Sequence, residues 1–80
     1  MKLKVFENGV YSEIEKALVN MDTKEIIMSG DYYHDKIDEH MEGFLMGLKY
    51  AKVKYELLEP EVIIPEHEMF NKCDFYNEEE

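Results

Sequence analysis

Residues 30–51 read GDYYHDKIDEHMEGFLMGLKYA, and this stretch decides the fold. Ile37, Met41, Phe44, Leu45, Leu48 and Ala51 recur at helical spacing, one apolar stripe that must face a core. Asp31 is a good N-cap, so the spacing predicts a long amphipathic helix from Tyr32 or Tyr33 to Tyr50. Asp35, Asp38, Glu39 and Glu42 crowd the first half and Lys49 and Lys52 close it, an order that complements the helix dipole. Gly43 and Gly47 each cost a helix up to about 1 kcal/mol relative to alanine. A close neighbour should compensate, and the sheet of the same subunit is the favoured one over a second copy of the helix.

Upstream of the helix, Lys2-Leu3-Lys4-Val5-Phe6 alternates charged and apolar side chains as a first strand. Asn8-Gly9 then supplies the positive φ angles of a tight turn. Val10 to Met21 satisfies two patterns. Val10, Ile14, Ala17, Leu18 and Met21 fit a helical stripe, with Ser12 and Glu15 as a capping box. Lys16 to Asn20, the polar turn Met21-Asp22-Thr23-Lys24 and the β-prone Glu25-Ile26-Ile27-Met28 instead outline a hairpin, which is the favoured reading.

Downstream, Val53, Tyr55 and Leu57 alternate with Lys54 and Glu56 as a last core strand. Pro60 interrupts it. Val62-Ile63-Ile64, between Pro60 and Pro65, reads as a short edge strand or a docked extended segment. The expectation is an α+β core over residues 1–58, with an antiparallel sheet of three or four strands on one long helix, and an acidic, aromatic-containing C-terminal arm over 59–80.

Charge is distributed unevenly. Of a net charge of −10, eight units fall in residues 55–80, where nine acids face only Lys72. All nine basic residues are lysines, so the bidentate guanidinium that reads guanine and grips phosphate is missing and direct nucleic-acid binding is not expected. No apolar run approaches the roughly 20 residues needed to cross a bilayer, so no membrane partner is expected either. A single cysteine, Cys73, fits a reducing compartment, and the cytoplasm of a bacterial host cell is the expected location. An 80-residue chain buries only about 60–65% of its unfolded surface, so a homodimer is among the expected assemblies.

Three constellations bear on chemistry. His34 and His40 lie among Asp35, Asp38, Glu39 and Glu42, but six residues apart on a helix they face different ways, so no metal site is expected. Cys73 near His67 offers too few ligands for a structural zinc, and the neighbouring Asp74 and glutamates raise rather than lower a thiol pKa. With Ser12 and Ser29 the sole serines and no phosphate-cradling loop, neither an enzyme nor a cofactor is expected. The third constellation sets Glu56, Glu59, Glu61, Glu66, Glu68 and Asp74 among Val62, Ile63, Ile64, Met69, Phe70, Phe75 and Tyr76. Carboxylates on a compact surface can imitate the phosphates of DNA while the apolar residues anchor the contact. Its competitor is that the apolar residues cover the core's edge and the acids keep a small protein soluble. Asp31, Tyr32, Tyr33, His34 and Asp35 form a second candidate patch, against the simpler reading that a tyrosine at a helix start is buried.

The run Gly30-Asp31-Tyr32-Tyr33-His34-Asp35-Lys36-Ile37, then Glu42-Gly43-Phe44-Leu45, then Gly47-Leu48-Lys49-Tyr50-Ala51 resembles a family of small proteins encoded by phages and prophages of Gram-positive bacteria. The match covers roughly residues 24–51. The resemblance carries over no activity and no binding residue. It implies a phage context, in which small acidic proteins often inhibit host nucleases, polymerases or defence complexes. The resulting expectation is a non-enzymatic inhibitor that occupies the nucleic-acid site of a host protein with a basic surface. The runner-up is a self-assembling structural or accessory phage protein.

Overall fold

In the computed structural model, which describes residues 1–9 and 15–64, the lysine–apolar alternation at the start of the chain is drawn out as strand β1, Lys2–Asn8. The hairpin reading holds for the described part of the ambiguous segment: β2, Glu15–Asn20, and β3, Glu25–Asp31, pair antiparallel across the polar turn. Leu18 lies opposite Met28 whereas Val19 lies opposite Ile26, so Ile27 is the extra residue of a β-bulge. The bulge lets the consecutive Ile27 and Met28 both pack into the helix-side core.

The sheet has five strands and is mixed, not purely antiparallel. Its order is β3-β2-β1, and the outer edge of β1 is shared by two short strands, β4 (Glu56–Leu57) and β5 (Glu61–Ile63), both parallel to it. The parallel direction follows from the connection. β3 runs parallel to β1, and a helix that carries the chain from β3 to the opposite edge returns it to the end from which β3 started. Residues 61–63, read from the sequence as part of the arm, thus pair with Phe6, Glu7 and Asn8. Gly9 serves this contact rather than a tight turn: its φ is not positive, its N–H donates to the Ile63 carbonyl at 2.8 Å, and a Cβ there would lie 3.0 Å from Val62 Cγ1.

Helix α1 spans Ile37–Tyr50, 14 residues, and is shorter than expected at its start. Asp31 is not its N-cap. That position belongs to Lys36, in the left-handed region at φ 50°, with no side-chain cap. Asp31 and Asp35 direct their carboxylates at local backbone N–H groups instead, which offers residues 31–35 a hydrogen-bonded alternative to helix. The other end closes in a Schellman motif. Val53 N–H donates to the Leu48 carbonyl at 2.9 Å and Lys52 N–H to Lys49 at 3.0 Å, with Lys52 at φ 60° where glycine is usual. A lysine in this conformation costs about 1–2 kcal/mol. This reversal consumes the residues expected to begin the last strand, leaving Val53 and Leu57 exposed and only Tyr55 partly packed.

Both faces of the central strands are buried. On the helix side Leu3, Leu18, Ile37 and Met41 form the core, with Val5, Phe44, Leu45 and Leu48 packed against it. Ala51, the sixth residue of the sequence stripe, is exposed at the C-cap. On the opposite face Phe6, Ala17 and Val19 are buried with Met21, Ile26 and Ile63 around them. Asn8 and Glu15 are buried beside this cluster, and the Asn8 amide donates to Glu15 Oε1 at 3.0 Å, which offsets the cost of sequestering polar groups. Gly43 and Gly47 face neither cluster. A Cβ built on either meets nothing within 4 Å, so the sheet is not the close neighbour expected of them.

Candidate functional site

The outer edge of the sheet carries the described part of the acidic constellation. Glu56, Glu59 and Glu61 are all exposed there, interspersed with exposed Leu57, Val62 and Ile64. Their directions follow from the register: Glu56 lies opposite Lys2 and Glu61 opposite Phe6, so both point to the face away from the helix. Lys4 lies on that face too, and its Nζ meets Glu61 Oε1 at 2.6 Å. An ion pair this exposed contributes at most about 1 kcal/mol, but it neutralises Glu61 and leaves Glu56 and Glu59 as the unpaired acids of the edge among the described residues. Ile63 turns inward onto Phe6 and Ala17. The edge therefore divides its apolar residues: Ile63 covers the core, Leu58 is half-buried, and Leu57, Val62 and Ile64 are exposed. Glu66, Glu68, Phe70, Asp74, Phe75 and Tyr76, like His67 and Cys73, lie outside the described residues.

The second candidate patch is a closed loop between β3 and α1. The Asp31 carboxylate accepts the backbone N–H groups of His34 and of Asp35, the latter at 3.1 Å, and Asp35 Oδ2 accepts the N–H of Asp31 at 3.0 Å. The His34 N–H above all, together with that of Asp35, holds the Asp31 carboxyl below its ordinary pKa, and the His34 ring adds to this at 3.3 Å. The loop depends on a hydrogen at Gly30, because a Cβ there would lie 2.6 Å from Asp35 Cβ. Tied at its base, the loop holds Tyr32 and Tyr33 outward, 52% and 62% exposed, with their rings at 88° and 5.1 Å between centroids. Neither tyrosine is buried at a helix start. Together with Lys36, Asp38 and Glu39 they line an open hollow of about 390 Å³. Asp38 is fixed in it by Lys16 of β2, whose Nζ lies 2.8 Å from Asp38 Oδ1.

A third feature was not singled out in the sequence. Lys49, Lys52 and Lys54 line a shallow hollow of about 510 Å³ with Val53 and Tyr55. Its signal was legible in the run Lys49-Tyr50-Ala51-Lys52-Val53-Lys54, but the left-handed Lys52 is what turns the three lysines to one place. Among the described residues no group of three His, Cys, Asp or Glu side chains could hold a metal ion, and no helix is long and apolar enough to cross a membrane. Compared with known protein families, curated proteins and solved structures, the chain matches none of them.

Proposed function

We propose that this chain is a non-enzymatic acidic binding protein, a phage-encoded inhibitor that occupies the nucleic-acid site of a basic host protein by phosphate mimicry. The observation that carries this reading is the outer sheet edge, which exposes Glu56 and Glu59 together with Leu57, Val62 and Ile64, with Glu56 turned to the face away from the helix and Leu57 and Val62 to the helix side. Carboxylates there supply the sign of a phosphate row, and the apolar residues supply the area that must be desolvated for affinity. The phage context rests on the resemblance of residues 24–51.

The test is affinity capture from a Gram-positive lysate followed by competition with duplex DNA for the captured partner. The bait must keep β5, since ending the chain at Leu58 removes a strand and Ile63, which packs against the core. Glu56→Gln with Glu59→Gln is the better variant. It is expected to weaken binding about tenfold at low salt while leaving thermal stability within about 0.5 kcal/mol. Raising salt from about 0.05 to 0.5 M should do the same to the unaltered chain. Binding that ignores both changes, or that coexists with DNA, sinks the proposal.

Self-assembly is the second reading, favoured by the open space beside Gly43 and Gly47 and the exposure of Met46 and Tyr50 on the helix. If that face is free in solution, Gly43→Ala and Gly47→Ala each raise stability by up to about 1 kcal/mol, because they remove backbone entropy and meet no clash. If two helices pack there, the same changes lower the melting temperature and shift the light-scattering mass from dimer to monomer.

A further inference from the structure

We infer that the hollow between the 31–35 loop and the start of α1 is a receptor for an arginine side chain presented by the partner. Two phenol rings at right angles offer one negative π-face and one edge, an arrangement that accepts a flat cation against the face. Glu39 at the rim forms no ion pair among the described residues, while Asp38 is anchored through one oxygen by Lys16. A guanidinium stacked on a tyrosine ring presents its N–H edge outward, where carboxylate oxygens can take it in the fork geometry an ammonium lacks. Lys36 is the one cation of the lining and Lys16 neutralises Asp38 from β2, so Glu39 is the carboxylate left to meet an incoming cation.

The loop is built in advance of any ligand. The mutual bonds of Asp31 and Asp35 fix the backbone that carries the tyrosines, and the Lys16–Asp38 pair fixes the opposite wall. Two large aromatic side chains left more than half exposed on a hydrogen-bonded base are the composition of an interface anchor. A second copy of this chain could present only lysine, the weaker occupant, because the chain contains no arginine. The occupant is a protein with arginine on its surface. The inference rests on the reading of this protein as a binder of a basic partner, but through a patch separate from the sheet edge.

The experiment is a 15N NMR titration of the full chain with the blocked tripeptide acetyl-Gly-Arg-Gly-amide, beside the same peptide carrying citrulline, a neutral isostere, or lysine. Arginine is expected to shift resonances of residues 31–39 with millimolar affinity. Citrulline should not, and lysine should bind several-fold more weakly. Tyr32→Ala and Tyr33→Ala should each weaken binding about two- to fivefold with the remaining spectrum unchanged. No shift at these residues, equal shifts with citrulline or lysine, or indifference to both tyrosine changes overturns the inference. The Glu56 and Glu59 variants keep the two proposals apart: arginine binding should survive in them, so a failure in the tyrosine hollow leaves the sheet-edge proposal standing.

Discussion

Leu18→Ala is expected to destabilise the protein by about 2–5 kcal/mol, the largest effect of any single substitution considered. Leu18 is fully buried in β2, a strand paired on both sides, and packs with Leu3, Ile37 and Met41. Its side chain joins the two halves of the helix-side core. Removal forfeits the transfer energy of three carbons and leaves a cavity between sheet and helix that neither layer can close alone. A chain of this length has a total stability of only about 4–12 kcal/mol, and each kcal/mol moves its melting temperature by about 4–8 °C. Thermal unfolding followed by circular dichroism should therefore fall by more than about 10 °C. Leu57→Ala, on a residue nearly half exposed, should move it hardly at all. Equal effects at the two positions would mean that β2 is not the centre of the sheet.

Gly30→Ala is expected to cost about 1–3 kcal/mol although alanine is ordinarily harmless in a strand. The new Cβ would approach Asp35 Cβ to 2.6 Å and Oδ2 to 2.7 Å. The carboxylate could swing away, but the β-carbon moves only with the backbone of the loop. The bond from Asp31 N–H to Asp35 would be lost with it, and the NMR resonances of Tyr32 and Tyr33 should shift. A rescue separates this clash from a general intolerance of alanine. Asp35→Gly removes the opposing Cβ, so the double variant should be less destabilised than the sum of the singles. Strict additivity would rule out the close approach.

Those two positions show how far the sequence could be read. The helix over Ile37–Tyr50, the hairpin of β2 and β3 and strand β1 were legible because hydrophobic period is a local property. The helix start was misplaced because Asp31 satisfies the N-cap rule as well as it satisfies a loop, and the choice depends on Asp35 packing over Gly30. The sheet was expected to be antiparallel because strand direction is set by where a connection goes, which no residue pattern records. Val53 and Leu57 look like core residues in an alternating run, yet a left-handed Lys52 redirects the chain before they can be buried. Of the candidate sites, the identities in Asp31-Tyr32-Tyr33-His34-Asp35 were plain. The outward display of the rings and the hollow they share with Asp38 and Glu39 come only from tertiary placement.

The two parallel strands on β1 also set an order of assembly. β1, β2 and β3 meet through short connections, but among the described residues the outer edge of β1 is filled by Glu56, Leu57 and residues 61–63, from the far end of the described chain. Long-range pairings close late, because the entropy of the intervening loop must be overcome before the contact returns anything. Until then an incomplete chain shows Leu3 and Phe6 beside an open row of backbone donors and acceptors, the state most exposed to wrong partners. Lys2 and Lys4 stand along that row. In the finished fold Lys4 is the partner of Glu61, but in the nascent chain the same charges act as gatekeepers that keep the unfinished strand from pairing with its neighbours.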